Sequence, residues 1–309
     1  MKIFLTGATG FVGGHVLTSF SQHHDVVCYG RRIPPNWNGE FIAGELERIG
    51  ESEVDFTGFD AVIHCAARAH IMNDNASNPL DEYRKVNTKS TLELAQKAAS
   101  SGVKRFIFIS TIKVNGESTT ARAFTADDAR DPQDDYGKSK AEAETQLLDF
   151  GKESGLEVVI IRPPLVYGPN VKANFAMLYK LAGKGWPLPL GCASENRRSL
   201  ISIDNLISLI EVCLEHPKAA NQIFLASDGR DVSTRTLIEL LASSQGRKVL
   251  MVPIPVSLFK LVGRFAGKSA VIDRLFGSLQ VDIEKNARVL DWTPPFSMEH
   301  SLAQMRKRL

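Results

Sequence analysis

At 309 residues, with 43% hydrophobic and 23% charged side chains, the chain has the composition of a globular protein of one large or two modest domains, not of a disordered, fibrous or membrane-spanning one. Lys and Arg number 37 against 35 Asp and Glu, a balance without the basic footprint that a nucleic-acid partner requires. Cys28, Cys65, Cys192 and Cys213 are scattered, with no C-x-x-C and no histidine at ligand spacing, so reduced thiols and no metal site are expected.

Met1-Lys2 leads straight into Ile3-Phe4-Leu5-Thr6-Gly7 with no apolar signal core, and no stretch approaches ~18 uninterrupted apolar residues; a cytoplasmic chain without a membrane span is expected. Short β-branched or aromatic runs at 3–5, 26–29, 61–65, 106–109, 158–161 and 223–225 predict buried strands. Amphipathic helical patterns, such as 83–99 and 136–150, fall between them, and the β-α-β-α order implies a doubly wound parallel sheet covered on both faces. After Arg162 the pattern loosens into loops carrying Pro163, Pro164, Pro169, Pro187 and Pro189, then a helix from about Asp204. This predicts a nucleotide-binding domain over 1–165, to whose sheet a strand near 222–226 returns, and a smaller substrate domain over 166–309.

The segment 256–276 is basic and amphipathic, which allows a membrane-surface helix or a helix packed on the domain. Packing is favoured, because Gly263 and Gly267 would each weaken a free-standing helix by about 1 kcal/mol.

Three constellations carry chemistry. In Thr6-Gly7-Ala8-Thr9-Gly10-Phe11-Val12-Gly13-Gly14, directly after the first strand, Gly7 can take a turn dihedral closed to other residues and Gly10 lets backbone approach a pyrophosphate. Gly13 allows close helix packing, and the helix that opens at Phe11 and Val12 draws the anion to its amino end. After the second strand, Gly30-Arg31-Arg32 stands where an NAD site usually places an acid. Two guanidiniums suit a 2′-phosphate, so NADP(H) is the favoured cofactor and NAD(H) the alternative.

Tyr136 and Lys140 are four residues apart on one helix face and form a proton-transfer pair. A lysine cation ~4 Å from the phenol at an effective dielectric of about 20 would contribute roughly 4 kcal/mol toward the phenolate, drawing Tyr136 toward neutral pH. Ser110 and Thr111 end the strand over 106–109, where ligands of such sheets bind.

Together the glycine turn, the strand-end hydroxyl and the Tyr-Lys pair resemble the extended short-chain dehydrogenase/reductase family of nucleotide-sugar epimerases, dehydratases and reductases, over nearly the whole chain. The resemblance implies a Rossmann-type fold and a catalytic triad of Thr111, Tyr136 and Lys140, with Lys140 also on the cofactor ribose. It sets Asp60, Ala66, Ala67 and Asn87 beside the cofactor, and Lys113, Asn174 and Arg198 toward a UDP-sugar, although for Lys113 a solvated charge is the favoured reading. Homodimers paired through helices matching 83–99 and 136–150 are also implied. The runs 110–117 and 162–169 are similar to a surface-polysaccharide branch containing reductases of UDP-4-keto-6-deoxy-N-acetylhexosamine, which form UDP-N-acetylquinovosamine.

Ile112-Lys113 replaces the acid pair of the family's dehydratases, Leu165 stands where many of its epimerases carry an asparagine, and Ser90 replaces a common glycine in the helix after Asn87. The expectation is therefore reduction of a C4 ketone, with a C4 epimerase as the alternative and an NADP(H)-sensing regulator as a third reading.

Overall fold

The computed structural model describes residues 1–69, 78–267 and 269–307. The strands are β1 (Lys2–Thr6), β2 (Asp25–Gly30), β3 (Phe41–Ala43), β4 (Ala61–His64), β5 (Arg105–Ile109), β6 (Glu157–Arg162), β7 (Leu165–Tyr167), β8 (Leu200–Ser202) and β9 (Gln222–Leu225). Seven make one parallel sheet in the order β3-β2-β1-β4-β5-β6-β9; β7 and β8 pair separately, also in parallel.

The strands read as continuous apolar runs because both faces are covered, and their alternation sorts the side chains into two layers. Ile3, Leu5, Ile63, Ile107, Val159 and Ile161 face one way, onto Val16 of α1 (Phe11–Phe20) and the residues that become Leu206 and Ile210 further on. Phe4, Val27, Val62, Phe106, Phe108 and Ile160 face the other. That second layer is closed by α3 (Ser90–Ser100), through Leu94 and Ala98, and by α4 (Asp135–Ser154), through Leu147, while α2 (Pro79–Arg84) precedes α3. Beyond β7 come α5 (Ala173–Gly183), α6 (Ile203–Glu215), which supplies Leu206 and Ile210, and α7 (Thr234–Ser244). The remaining helices are α8 (Val256–Phe265), α9 (Ser269–Phe276), α10 (Glu284–Leu290) and α11 (Met298–Lys307). A third cluster joins Tyr167, Phe175, Leu188, Leu237, Leu241 and Leu302.

The sequence pattern had three gaps. β3, β7 and β8 are three residues each, too short for a period to register. The helix expected over 83–99 is instead α2 and α3 joined by a π-helical turn, Lys85–Lys89, with Asn87 buried in it. Ser90 Oγ donates to the Lys85 carbonyl at 2.8 Å, so the serine that departs from the family's glycine helps satisfy that turn.

Strand order reverses about β1, which lies between β2 and β4. The carboxyl ends of β1, β4 and β5 therefore border one crevice, the place where a doubly wound sheet binds its ligand.

Candidate active site

The floor of the crevice is the turn after β1. Gly7 has φ +76, and a Cβ there would stand 2.6 Å from the Ala66 nitrogen, so both backbone and space exclude a side chain. At Gly13 a Cβ would meet the Gly7 carbonyl oxygen at 2.2 Å, which lets α1 abut the turn. Gly10 opens α1, its amide donating to the Gly7 carbonyl at 2.9 Å, and the helix has no side-chain cap and no acid in its first turn. Unfilled amide donors and the positive end of the helix dipole thus meet a cradle that any Cβ would fill. These residues fit the pyrophosphate of a dinucleotide.

Behind this turn runs a directed hydrogen-bond chain. The Ala66 amide donates to Thr6 Oγ1 at 3.3 Å, Thr6 Oγ1 lies 2.6 Å from His64 Nδ1, His64 Nε2 lies 2.9 Å from Thr91 Oγ1, and Thr91 donates to the Asn87 carbonyl at 2.9 Å. Since the Thr91 proton is committed to Asn87, His64 carries its proton on Nε2 and accepts from Thr6 at Nδ1. Burial first, then the charge of Lys140, holds the His64 pKa well below its ordinary value, keeping the ring neutral. Asn87 clasps the loop after β4, accepting from the Arg68 amide at 2.8 Å and donating to the Arg68 carbonyl at 3.1 Å, and it also donates to Ser139 Oγ at 3.0 Å. The cofactor loop and the tyrosine-bearing helix are thereby joined.

Helix α4 presents Tyr136, Lys140 and Glu144 at successive turns. Asp134 caps it, accepting from the Gly137 amide at 2.7 Å. Lys140 is buried, donates from Nζ to the Ile109 carbonyl at 2.8 Å, and sits 4.0 Å from the centroid of the Phe108 ring. Desolvation lowers its pKa to about 7, against the opposing pull of Glu144 and Cys65. Tyr136 is half-buried, with its ring against Tyr83. Its phenol is pushed above its ordinary value, by burial first and then by Asp134 and Tyr83. This reverses the expected drift toward neutral pH. The pairwise attraction counted only the lysine charge, whereas burial penalises both the phenolate and the ammonium.

The two strand-end hydroxyls divide. Ser110 Oγ donates to Glu144 Oε1 at 2.6 Å inside the protein, while Thr111 Oγ1, half-buried, accepts among the described residues only the Lys113 amide at 3.3 Å. Glu144 is further held by Arg162, at 2.9 Å from Nε and 2.5 Å from Nη2, both side chains being at most 1% exposed. Arg162 in turn donates to Asn115 Oδ1 at 2.8 Å. Sequence reasoning missed this pair. Glu144 lies one turn beyond Lys140 and was visible as the next residue on that face, but nothing local announces Arg162.

Other expected site residues fall differently. Lys113 is ion-paired with Asp134 and, at 2.9 Å, with Glu117. Burial works to lower its pKa but is outweighed by these partners, which raise it. Arg198 donates from Nη1 to the carbonyls of Arg274 at 2.8 Å and Gly277 at 3.1 Å; burial first, then Arg274, lowers its pKa. Ala66 lies against Gly7 and Ala67 is exposed beside it. Arg31 and Arg32 are exposed at the end of β2, and among the described residues neither bonds to another side chain. The side chain of Asn174 lies outside the described residues. Asp60 is a correction: it accepts the Lys2 amide at 2.7 Å, at the amino end of β1, on the sheet edge opposite the glycine turn. The four cysteines are free.

The model of the NAD dependent epimerase/dehydratase family matches residues 3–226. UDP-glucose 4-epimerase of Vibrio cholerae is 48% identical over 307 residues, covering 98% of this chain and 94% of that protein. Among solved structures, UDP-glucose 4-epimerase of Thermotoga maritima with UDP-glucose superposes with a TM-score of 0.79 at 23% identity, over 100% of this chain and 98% of that one. The Bordetella bronchiseptica enzyme WbmG with NAD gives 0.77 at 20% identity, over 100% and 93%. These two structures share the fold.

Proposed function

We propose that this chain, which belongs to the NAD dependent epimerase/dehydratase family, is a UDP-sugar 4-epimerase working with NAD. The observation that carries the reaction class is the strand end itself: Thr111 has a hydroxyl free of the buried network, Tyr136 and Lys140 lie on the adjacent helix, and no acid pair follows Thr111. Elimination across C5 and C6 needs an acid and a base there. Ile112 is buried and Lys113 is engaged by Asp134 and Glu117, so chemistry at C4 is favoured. The full-length likeness to the Vibrio cholerae enzyme favours epimerisation over the reduction expected from the sequence.

In this reading Gly7, Gly10, Gly13 and the amides at Phe11 and Val12 hold the pyrophosphate, and Ala66, Ala67 and Asn87 border the dinucleotide. When bound, it supplies the two-electron exchange at C4. Tyr136 Oη passes the proton to and from the C4 oxygen: as phenolate, a form that burial alone disfavours and that the positive charge of an oxidised dinucleotide would favour, when the hydroxyl is oxidised, and as phenol when the opposite face is reduced. Thr111 Oγ1 holds the C4 oxygen. Lys140, fixed on Ile109, holds the ribose and sets the charge beside Tyr136. Arg198 and Asn174 are assigned to the sugar-nucleotide diphosphate, and the chain is expected to pair through the segments 83–99 and 136–150, which light scattering tests.

The second reading is an NADP(H)-dependent reductase of a UDP-4-keto-6-deoxy-N-acetylhexosamine in polysaccharide synthesis. It is favoured by Arg31 and Arg32, exposed and without side-chain partners among the described residues, and by Leu165, 44% exposed where epimerases of the family often carry asparagine. The experiment is to incubate the protein with UDP-glucose and with UDP-N-acetylglucosamine and resolve the products. C4 epimers formed without net consumption of added NADPH support the first reading. Stoichiometric NADPH oxidation on the 4-keto-6-deoxy sugar alone supports the second.

A further inference from the structure

Residues 240–267 contain Arg247, Lys248, Lys260 and Arg264 and no Asp or Glu, in a chain whose charges otherwise nearly cancel. All four cations are exposed, and among the described residues none pairs with a carboxylate. The same stretch holds Leu250, Leu258, Leu261, Val262 and Phe265 among the exposed large hydrophobic side chains, Phe265 at 84% exposure.

The helix α8 organises these residues into three strips. At about 100° per residue, Leu258, Leu261, Val262 and Phe265 fall within an arc of roughly 100°, all of them exposed. Ser257, Lys260 and Arg264 form a polar, basic strip along one side of that arc. The opposite side is packed: the Phe259 and Phe276 rings are 5.0 Å apart, and a Cβ on Gly263 would come within 2.5 Å of Ile272 Cγ1. Gly263, expected to weaken a free-standing helix, is thus what lets α9 approach. The hairpin is firmly anchored, since Arg198 donates to the carbonyls of Arg274 and Gly277, and Asn196 Nδ2 and Thr234 Oγ1 both donate to that of Leu275.

A surface helix ordinarily turns polar residues to water, so an apolar strip left outward on an anchored helix calls for a partner. Charge decides which. In a symmetric contact with a second copy, the strips would bring Lys260 and Arg264 of both chains together with no carboxylate of residues 240–267 between them. An anionic bilayer meets both requirements, taking the apolar strip at the acyl boundary and the cations among lipid phosphates.

We propose that α8 docks this protein peripherally on an anionic lipid surface, with Leu258, Leu261, Val262 and Phe265 inserted and Lys260 and Arg264 at headgroup level. This does not depend on which UDP-sugar reaction the crevice performs.

The test is co-sedimentation of the full chain with vesicles of equal parts phosphatidylglycerol and phosphatidylcholine, and with phosphatidylcholine alone. Binding to the mixed vesicles that falls with added salt is expected. Lys260→Glu with Arg264→Glu should weaken it by more than ~10-fold, at about fivefold per cation removed. Leu261→Ser with Phe265→Ser should weaken it by at least ~10-fold. Both variants should retain the far-ultraviolet dichroism and the turnover of soluble UDP-sugar of the parent. Absence of binding, or binding equal in the parent and both variants, would overturn the proposal. So would a dimer that dissociates in the Leu261→Ser, Phe265→Ser variant, which would assign the strip to a second copy.

Discussion

Lys140 Nζ donates to the carbonyl of Ile109 at 2.8 Å, the last residue of β5 before the Ser110-Thr111 hydroxyls. The lysine is therefore fixed to the strand that carries Thr111, and it lies in surroundings that lower its pKa to about 7. In the unfolded chain a lysine titrates near ~10.4, so between these values the unfolded state binds more protons and this group's contribution to stability rises with pH. Replacing Lys140 by Met removes the burial penalty that the ammonium carries at low pH. The melting temperature of Lys140→Met minus that of the parent should be more positive at pH 6 than at pH 9, by calorimetry. A difference that does not change with pH would show that Lys140 is not held in a desolvated place.

Tyr136→Phe should lower turnover by at least the ~100-fold typical of a lost acid–base group, with cofactor affinity nearly unchanged. Lys140→Met should damage both. Steady-state kinetics beside a cofactor titration separates the two effects, and near-normal turnover in Tyr136→Phe would remove the phenol from the chemistry.

The neighbouring hydroxyls should respond in opposite ways. Ser110→Ala takes a donor from buried Glu144 and is expected to cost about 1–3 kcal/mol of stability with little effect on kcat. Thr111→Val should leave the denaturation midpoint almost unmoved and reduce kcat at least ~10-fold. Urea denaturation and kinetics on both variants check the assignment, which fails if Ser110→Ala is the one that loses turnover.

Glu144→Leu leaves Arg162 charged and buried without its carboxylate, and should destabilise the fold by about 3–5 kcal/mol. Adding Arg162→Leu should recover much of that loss. A double variant no more stable than the single one would contradict the account of the pair.

The parts legible in the sequence were those in which one residue type answers one local need. Gly7 was readable because a positive φ and a closely packed backbone at the end of a strand admit little else, and Tyr136 and Lys140 because a spacing of four fixes a shared face. What escaped depends on distant partners. Lys113 looked able to reach substrate until Asp134, which also caps α4, came beside it. The π-turn at Asn87 has no pattern of its own, because its reason is the contact with Arg68 and Ser139. The Tyr136 phenol was misjudged because a charge pair can be counted from spacing, whereas desolvation is known only once the walls are in place. Asp60 carried a family pattern that here serves the opposite edge of the sheet.

The most direct test of the account is to supply a UDP-hexose deuterated at C4 and follow the label by mass spectrometry and proton NMR, without added reductant. Epimerisation through Tyr136 and a cofactor retained at the glycine turn predicts a C4-inverted product that keeps its deuterium at C4, with no net change in cofactor redox state. Absence of an inverted product, loss of the label to solvent, or product formation only with stoichiometric NADPH would contradict it.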